Sequence, residues 1–133
     1  QQGLASSDQS LLNHQRAVPD IASSADPNEA LAIYITGSGW QPIGGTSAAS
    51  PLWAGLAAIA DQMAGHPLGF LNPKLYKIAA SSKYAQDFND ITTGNNNNTD
   101  QGVQGYSATT NWDAVTGLGT PNAANLLPDL ISA

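Results

Sequence analysis

The stretch from Ser81 to Gly119 sets the first condition on any fold this chain can adopt: it is dominated by Asn, Gly, Thr and Asp and includes the run Asn95–Asn98. These residues favour turns over helices and strands. An irregular stretch of that length is uncommon in a compact domain unless something organises it, so the regular elements have to come from its flanks. Ala30–Thr36 is a short, apolar, β-branched run set between Asp26-Pro27-Asn28 and Gly37-Ser38-Gly39, which predicts a strand that leaves through a tight turn and returns over Trp40–Ile43. Ala48–Met63 places Leu52, Leu56, Ile59, Ala60 and Met63 three and four residues apart, the mark of one buried helical face. Pro51 is expected in that helix's first turn, where a missing N–H costs no helical bond, and Gly65 is expected to stop it. A shorter helix is predicted over Pro73–Ala80, with Asn72 as N-cap and Leu75 and Ile78 facing inward. A closing helix, strained by Pro128, is expected over Asn122–Ser132. Gln1–Gln15 reads as polar loop.

At 133 residues the chain is long enough to bury a core, and nothing forces a second domain. With 4 Lys+Arg against 10 Asp+Glu, it has no electrostatic footprint for phosphate backbones or anionic lipid, so nucleic acid and membrane surfaces are poor partners. No run approaches the roughly 18 uncharged apolar residues of a membrane-spanning helix. The N-terminus has neither a basic flank nor an apolar core, so a signal peptide is expected outside this sequence. Cysteine is absent, which leaves oxygen or imidazole as the ligands for any metal. The charged fraction of 11% means that little surface depends on ion pairs that acid would break, which suits work at low pH.

Gly44-Gly45-Thr46-Ser47-Ala48-Ala49-Ser50-Pro51 places a serine where a glycine turn meets a buried helix. Glycines let backbone approach a bound substrate closely. Unpaired N–H groups and the positive helix end suit a developing oxyanion. By residue type alone two readings stay open: Thr46 or Ser47 caps the helix, or Ser47 is a nucleophile. The run Gly45–Pro51 resembles the Gly-Thr-Ser-x-x-x-Pro signature of subtilisin-like serine peptidases. Its continuation Leu52-Trp53-Ala54-Gly55 is similar to the sedolisins, as are Arg16–Ala22 and Ala25-Asp26-Pro27 upstream. Asp20 is assigned structural duty, because the family's catalytic acids do not lie in that motif.

Phe88-Asn89-Asp90-Ile91-Thr92 and Trp112–Pro121 flank the Asn-rich insert. Two Asp side chains brought together by a loop with little core would repel unless a cation intervenes, and hard oxygen ligands completed by water describe Ca²⁺. Resemblance to the sedolisin calcium site carries over the carboxylates of Asp90 and Asp113 and the carbonyls of Ile91, Thr109 and Asn111, holding one ion. The family usually has glycine at the last two places. Asn tolerates left-handed backbone, whereas Thr109 would be strained by a positive φ.

The resemblance implies an α/β fold: the C-terminal part of a subtilisin-like parallel-sheet domain with an attached calcium-binding loop region. Residues 1–133 would be the C-terminal portion of one peptidase domain, with a nucleophile segment at about 16–65 and a calcium-binding region at about 87–121. It also implies a secreted, acid-active serine-carboxyl endopeptidase or tripeptidyl-peptidase, in which Ser47 forms an acyl-enzyme with its peptide substrate. In such enzymes a glutamate is the base, an aspartate orients it, and a protonated aspartate serves the oxyanion hole. The lone glutamate, Glu29, has no Asp four residues later, so all three acids are expected from an N-terminal portion of the same precursor. A histidine-based triad is the rival reading. His66 is excluded by roughly 27 Å of helix at about 1.5 Å per residue, and His14 is expected at the surface. Two other classes stand as alternatives: a non-catalytic calcium-stabilised pseudopeptidase or structural module, and a carbohydrate- or surface-binding domain suggested by Trp40, Trp53 and Trp112. Asn97-Asn98-Thr99 is a glycosylation acceptor in a surface loop.

Overall fold

The computed structural model describes residues 4–13, 15–29 and 31–133. In chain order the elements are α1 (Ser6–Leu11), β1 (Leu31–Ile35), β2 (Gly39–Ile43), α2 (Thr46–Ala64), α3 (Asn72–Ala79), α4 (Tyr84–Asp87), β3 (Phe88–Asn89), β4 (Thr120–Pro121) and α5 (Ala123–Ser132), with short 3-10 turns at Pro27–Glu29 and Thr99–Gln101. The class is mixed α/β. The strands form two two-stranded antiparallel sheets, β1 with β2 and β3 with β4. A parallel sheet does not occur among the described residues. The amide of Ser38 bonds the Ile35 carbonyl at 2.9 Å, and so tight a turn returns the strand antiparallel, whereas a parallel partner needs a long crossover.

The core lies where α2, α3 and α5 meet the loop 112–118. Leu75, Tyr76, Ile78, Phe88, Trp112, Leu118, Leu126, Leu127 and Leu130 form one buried cluster with Ala60. Helix α5 is its hub, contacting α2, α3 and α4. The irregular segment Pro19–Ala22 is stitched to the far end of the chain. Trp112 Nε1 donates to the Pro19 carbonyl at 3.1 Å, the Leu118 amide to Asp20 at 2.9 Å, and the Ala22 amide to Gly119 at 2.9 Å. The Asp20 carboxylate accepts from Arg16 at 2.6 Å, Asn72 Nδ2 at 2.6 Å and the Tyr76 hydroxyl at 2.8 Å. Three donors on one carboxylate fix the start of α3 and give Asp20 the structural duty expected of it.

Four expectations need correction. The first residues are not all loop: Ser6–Leu11 is helical, opened by Asp8 and Gln9 amides on the Ala5 carbonyl, with Asp8 favourably placed in the first turn. Asn72 is not the N-cap of α3. That position is Leu71, and the Asn72 amide group is spent on Asp20. Pro51 does not fall in the first turn of α2, because the helix starts at Thr46 and Pro51 lies inside it. Its absent N–H is the one that would have bonded the Ser47 carbonyl. Finally, the periodic face of α2 is only partly covered. Ala60 is buried and Leu56 half-buried, but Leu52, Ile59 and Met63 are exposed, since α5 covers a single side of the helix. Every β1 residue is exposed too, and Tyr34 and Trp40 meet edge-on at 5.6 Å on that surface.

Candidate active site and acidic loop

Ser47 is the second residue of α2 and is exposed to solvent. Two glycines fix the turn in front of it. Gly45 has φ +85°, a left-handed value that disfavours side chains, and its amide donates to the Ala25 carbonyl at 2.6 Å. A Cβ on Gly44 would come within 2.5 Å of the Pro27 Cα, so nothing larger fits there. The N-cap of α2 is Gly45, with no side-chain capping bond. The bond that would explain Thr46 or Ser47 as a mere cap is therefore not made. Ala48 and Ala49 amides return to the Gly45 carbonyl, whereas those of Thr46 and Ser47 have no acceptor among the described residues. A serine hydroxyl without a partner among the described residues, beside two undirected amides at a positive helix end, can receive a carbonyl group.

No histidine serves this serine within the described part of the chain. Helix α2 runs unbroken to Ala64, so His66 lies at its opposite end, its Nδ1 3.2 Å from the Pro67 carbonyl. His14 falls outside the described residues. Glu29 is exposed in the Pro27–Glu29 turn and forms no ion pair or side-chain hydrogen bond with the described residues.

The loop between β3 and β4 is organised by two carboxylates. Asp113 is 4% exposed, and its Oδ1 accepts from the amides of Val115 at 2.8 Å and Thr116 at 2.7 Å. Its Oδ2 accepts from the Thr109 amide at 3.1 Å, and the Thr116 hydroxyl reaches both oxygens. Asp90 accepts from the Asn111 amide at 2.8 Å. Four of the five expected ligand residues, Asp90, Thr109, Asn111 and Asp113, are thus linked to one another in pairs, and Ile91 follows Asp90 directly. Asn111 adopts the left-handed backbone, φ 64°, and Thr109 does not, so the strain foreseen for a β-branched residue is absent. The donors are all oxygen, which matches the chemistry of a hard cation. Among the described residues no three acidic or imidazole side chains converge as a metal site, so any ion here would draw largely on carbonyls and water.

Tyr84 was not singled out by sequence. Burial, then the charge and hydrogen bonding of Asp90, then the charge of Asp113, raise its phenol well above the ordinary value. It stays neutral, with its hydroxyl 3.3 Å from the Leu118 carbonyl. The sequence signal was weak: a lone Tyr six residues before an Asp is an ordinary core pattern.

No family model matches the chain. Individual proteins do. Over 116 residues, 87% of this chain and 20% of the relative, it is 42% identical to kumamolisin from Bacillus sp. (strain MN-32). It is 42% identical to tripeptidyl-peptidase sed1 of Aspergillus fumigatus, over 84% of the chain and 16% of that protein. Human tripeptidyl-peptidase 1 is 35% identical over 88% of the chain and 21% of its own length. These matches take in the glycine turn, Ser47 and most of the acidic loop by extent alone. The chain belongs to the sedolisin family of serine peptidases. It spans about a fifth of the length of the relatives it matches.

Proposed function

We propose that this chain is the nucleophile-bearing C-terminal portion of a secreted, acid-active serine-carboxyl peptidase, an endopeptidase or tripeptidyl-peptidase. The observation that carries the reading is the Ser47 hydroxyl, without a partner among the described residues, at the glycine-shaped start of α2. Ser47 Oγ attacks the scissile carbonyl while its proton passes to a glutamate carboxylate. The amine leaves with that proton, and water then hydrolyses the ester and restores the serine. The glutamate, the aspartate that orients it and the oxyanion aspartate come from the N-terminal portion of the same precursor. A carboxylate base operates near its own pKa, ordinarily about 4.3, and this sets the acid optimum.

The uncovered apolar surface supports that partner. Leu52, Ile59 and Met63 on α2, with Leu31, Ile33, Tyr34 and Trp40 on the hairpin, are exposed, and a two-stranded hairpin is at best marginally stable without packing. Ca²⁺ belongs to the same proposal. The Asp90 and Asp113 carboxylates, with the Ile91, Thr109 and Asn111 carbonyls, would hold it and tie the loop to the core, remote from the bond-making steps. No helix among the described residues is long and apolar enough to cross a membrane.

The test uses the full-length protein at about pH 4, near the carboxylate range. A serine-directed covalent probe should label Ser47, and Ser47→Ala should abolish labelling and lower peptide cleavage by at least about 1000-fold. Full cleavage by Ser47→Ala would overturn the assignment. Calcium-dependent folding with no labelling or cleavage in the wild type would favour a non-catalytic module instead.

A further inference from the structure

Asp87, at the end of α4, is fully buried, and neither carboxylate oxygen has a hydrogen-bond partner among the described residues. Nothing in the peptidase reading uses it. Its neighbours explain what it is for. Helix α4 packs on α5, which brings up the half-buried Asp129, itself paired with Lys83 at the start of α4. The geometry points to an acid-closed clasp between α4 and α5, in which a proton on Asp87 lets it face Asp129 and whose loss drives the two helices apart.

The electrostatics of every packed element agree. From α5 comes the negative Asp129. From the α3–α4 turn comes Lys83, whose single charge is already engaged by Asp129. From α3, Lys77 lines the cleft beside Asp129, and Lys74 donates to the Leu130 carbonyl at 3.1 Å. Strands β3 and β4 contribute no ionisable side chain at Phe88, Asn89, Thr120 or Pro121. An ionised Asp87 would thus be a sealed anion with no donor, next to a second anion. A neutral Asp87 needs one acceptor, and in the clasp Asp129 would be that acceptor. Burial first, then the Asp129 charge, raise the Asp87 carboxyl, with Lys83 acting the other way.

The sign follows from linkage. A carboxyl raised on folding gives stability that is complete below the unfolded value of about 3.9 and is lost as pH rises through the folded value. The clasp therefore holds in acid and loosens toward neutrality. The position matters for the acidic loop. The Asp87 carbonyl accepts from the Asn122 amide at 2.8 Å where α5 begins, and the chain runs from Asp87 through β3 straight to Asp90. This inference stands apart from the peptidase reading, and Ser47→Ala is silent on it.

The experiment is hydrogen–deuterium exchange of residues 83–90 and 122–132 in the full-length protein, corrected for the intrinsic pH effect, between about pH 4 and pH 7. The wild type should lose protection several-fold toward neutrality. Asp87→Asn, which donates to Asp129 as the acid does, should keep acid-like protection throughout. Asp129→Asn should move the wild-type transition to lower pH by removing the neighbouring charge. As a check that needs no variant at position 87, infrared spectra of the wild type should show a protonated carboxyl band titrating with the loss of protection. A wild type and Asp87→Asn with the same pH dependence would overturn the clasp, as would absence of that band in acid.

Discussion

Gly44 shows how one missing side chain can govern a site. The Pro27 backbone sits where a Cβ would be, 2.5 Å away, so the turn before Ser47 can be held against the Asp26-Pro27 corner only by glycine. Gly44→Ala should cost about 1–3 kcal/mol in denaturant unfolding of the full-length protein. It should also lower Ser47 labelling at a temperature where the variant is still folded, because the backbone that must move is the one that presents the serine. Asp20 works the other way, through what it adds. Its three donors come from nearby Arg16 and from Asn72 and Tyr76, and nothing in the sequence spacing of the last two hints that they meet it. Reading Asp20 as structural was open to sequence; reading Asn72 as a helix cap failed because a distant carboxylate outbid the local backbone.

At the scale of elements, α5 is the keystone. Leu126 is 0% exposed within a cluster drawn from α2, α3, β3 and the loop 112–118, and Leu126→Ala should lower unfolding free energy by about 2–5 kcal/mol, read from the shift in denaturant midpoint. The helices α2, α3 and α5 and the hairpin were legible because their signals are local: three-and-four spacing, β-branched runs, and glycine or proline at the boundaries. Gly65 ends α2 with φ 75° as expected. What sequence could not give was which faces are covered. The periodicity of Leu52, Ile59 and Met63 says that a helix has an apolar side, and says nothing of what lies against it. Helix α1 was missed because its six residues carry no apolar stripe. The candidate site divides in the same way. Ser47 was visible as a short motif, whereas Tyr84 and Asp87 acquire their character only from groups that folding brings beside them.

Over the whole molecule, the acidic loop closes a path that begins at Pro19 and ends at α5, so whatever steadies the loop steadies the fold. If Ca²⁺ occupies the Asp90–Asp113 region, chelation should lower the melting temperature of the full-length protein by several degrees or more, consistent with a loss of about 2–3 kcal/mol at saturating ion. Asp113→Asn should show little further response to chelator, and an unchanged melting temperature in the wild type would remove the ion from the account. Within the same loop, the bridges Asn95↔Ser107 and Asn98↔Val103 zip the insert into a small ladder that stands off the core. The Asn98 side chain accepts from Gln101 at its tip, and the left-handed Gly102 turns the chain back. Because the rungs are closed below, residues beyond Asn98 change the length of the tip without altering the spacing of Asp90 and Asp113. Lengthening a closed loop costs only about 0.6 kcal/mol per doubling. The tip is thus a tolerant port in an otherwise tightly specified segment, where evolution or an engineer can splice in new sequence while the acidic loop keeps its shape.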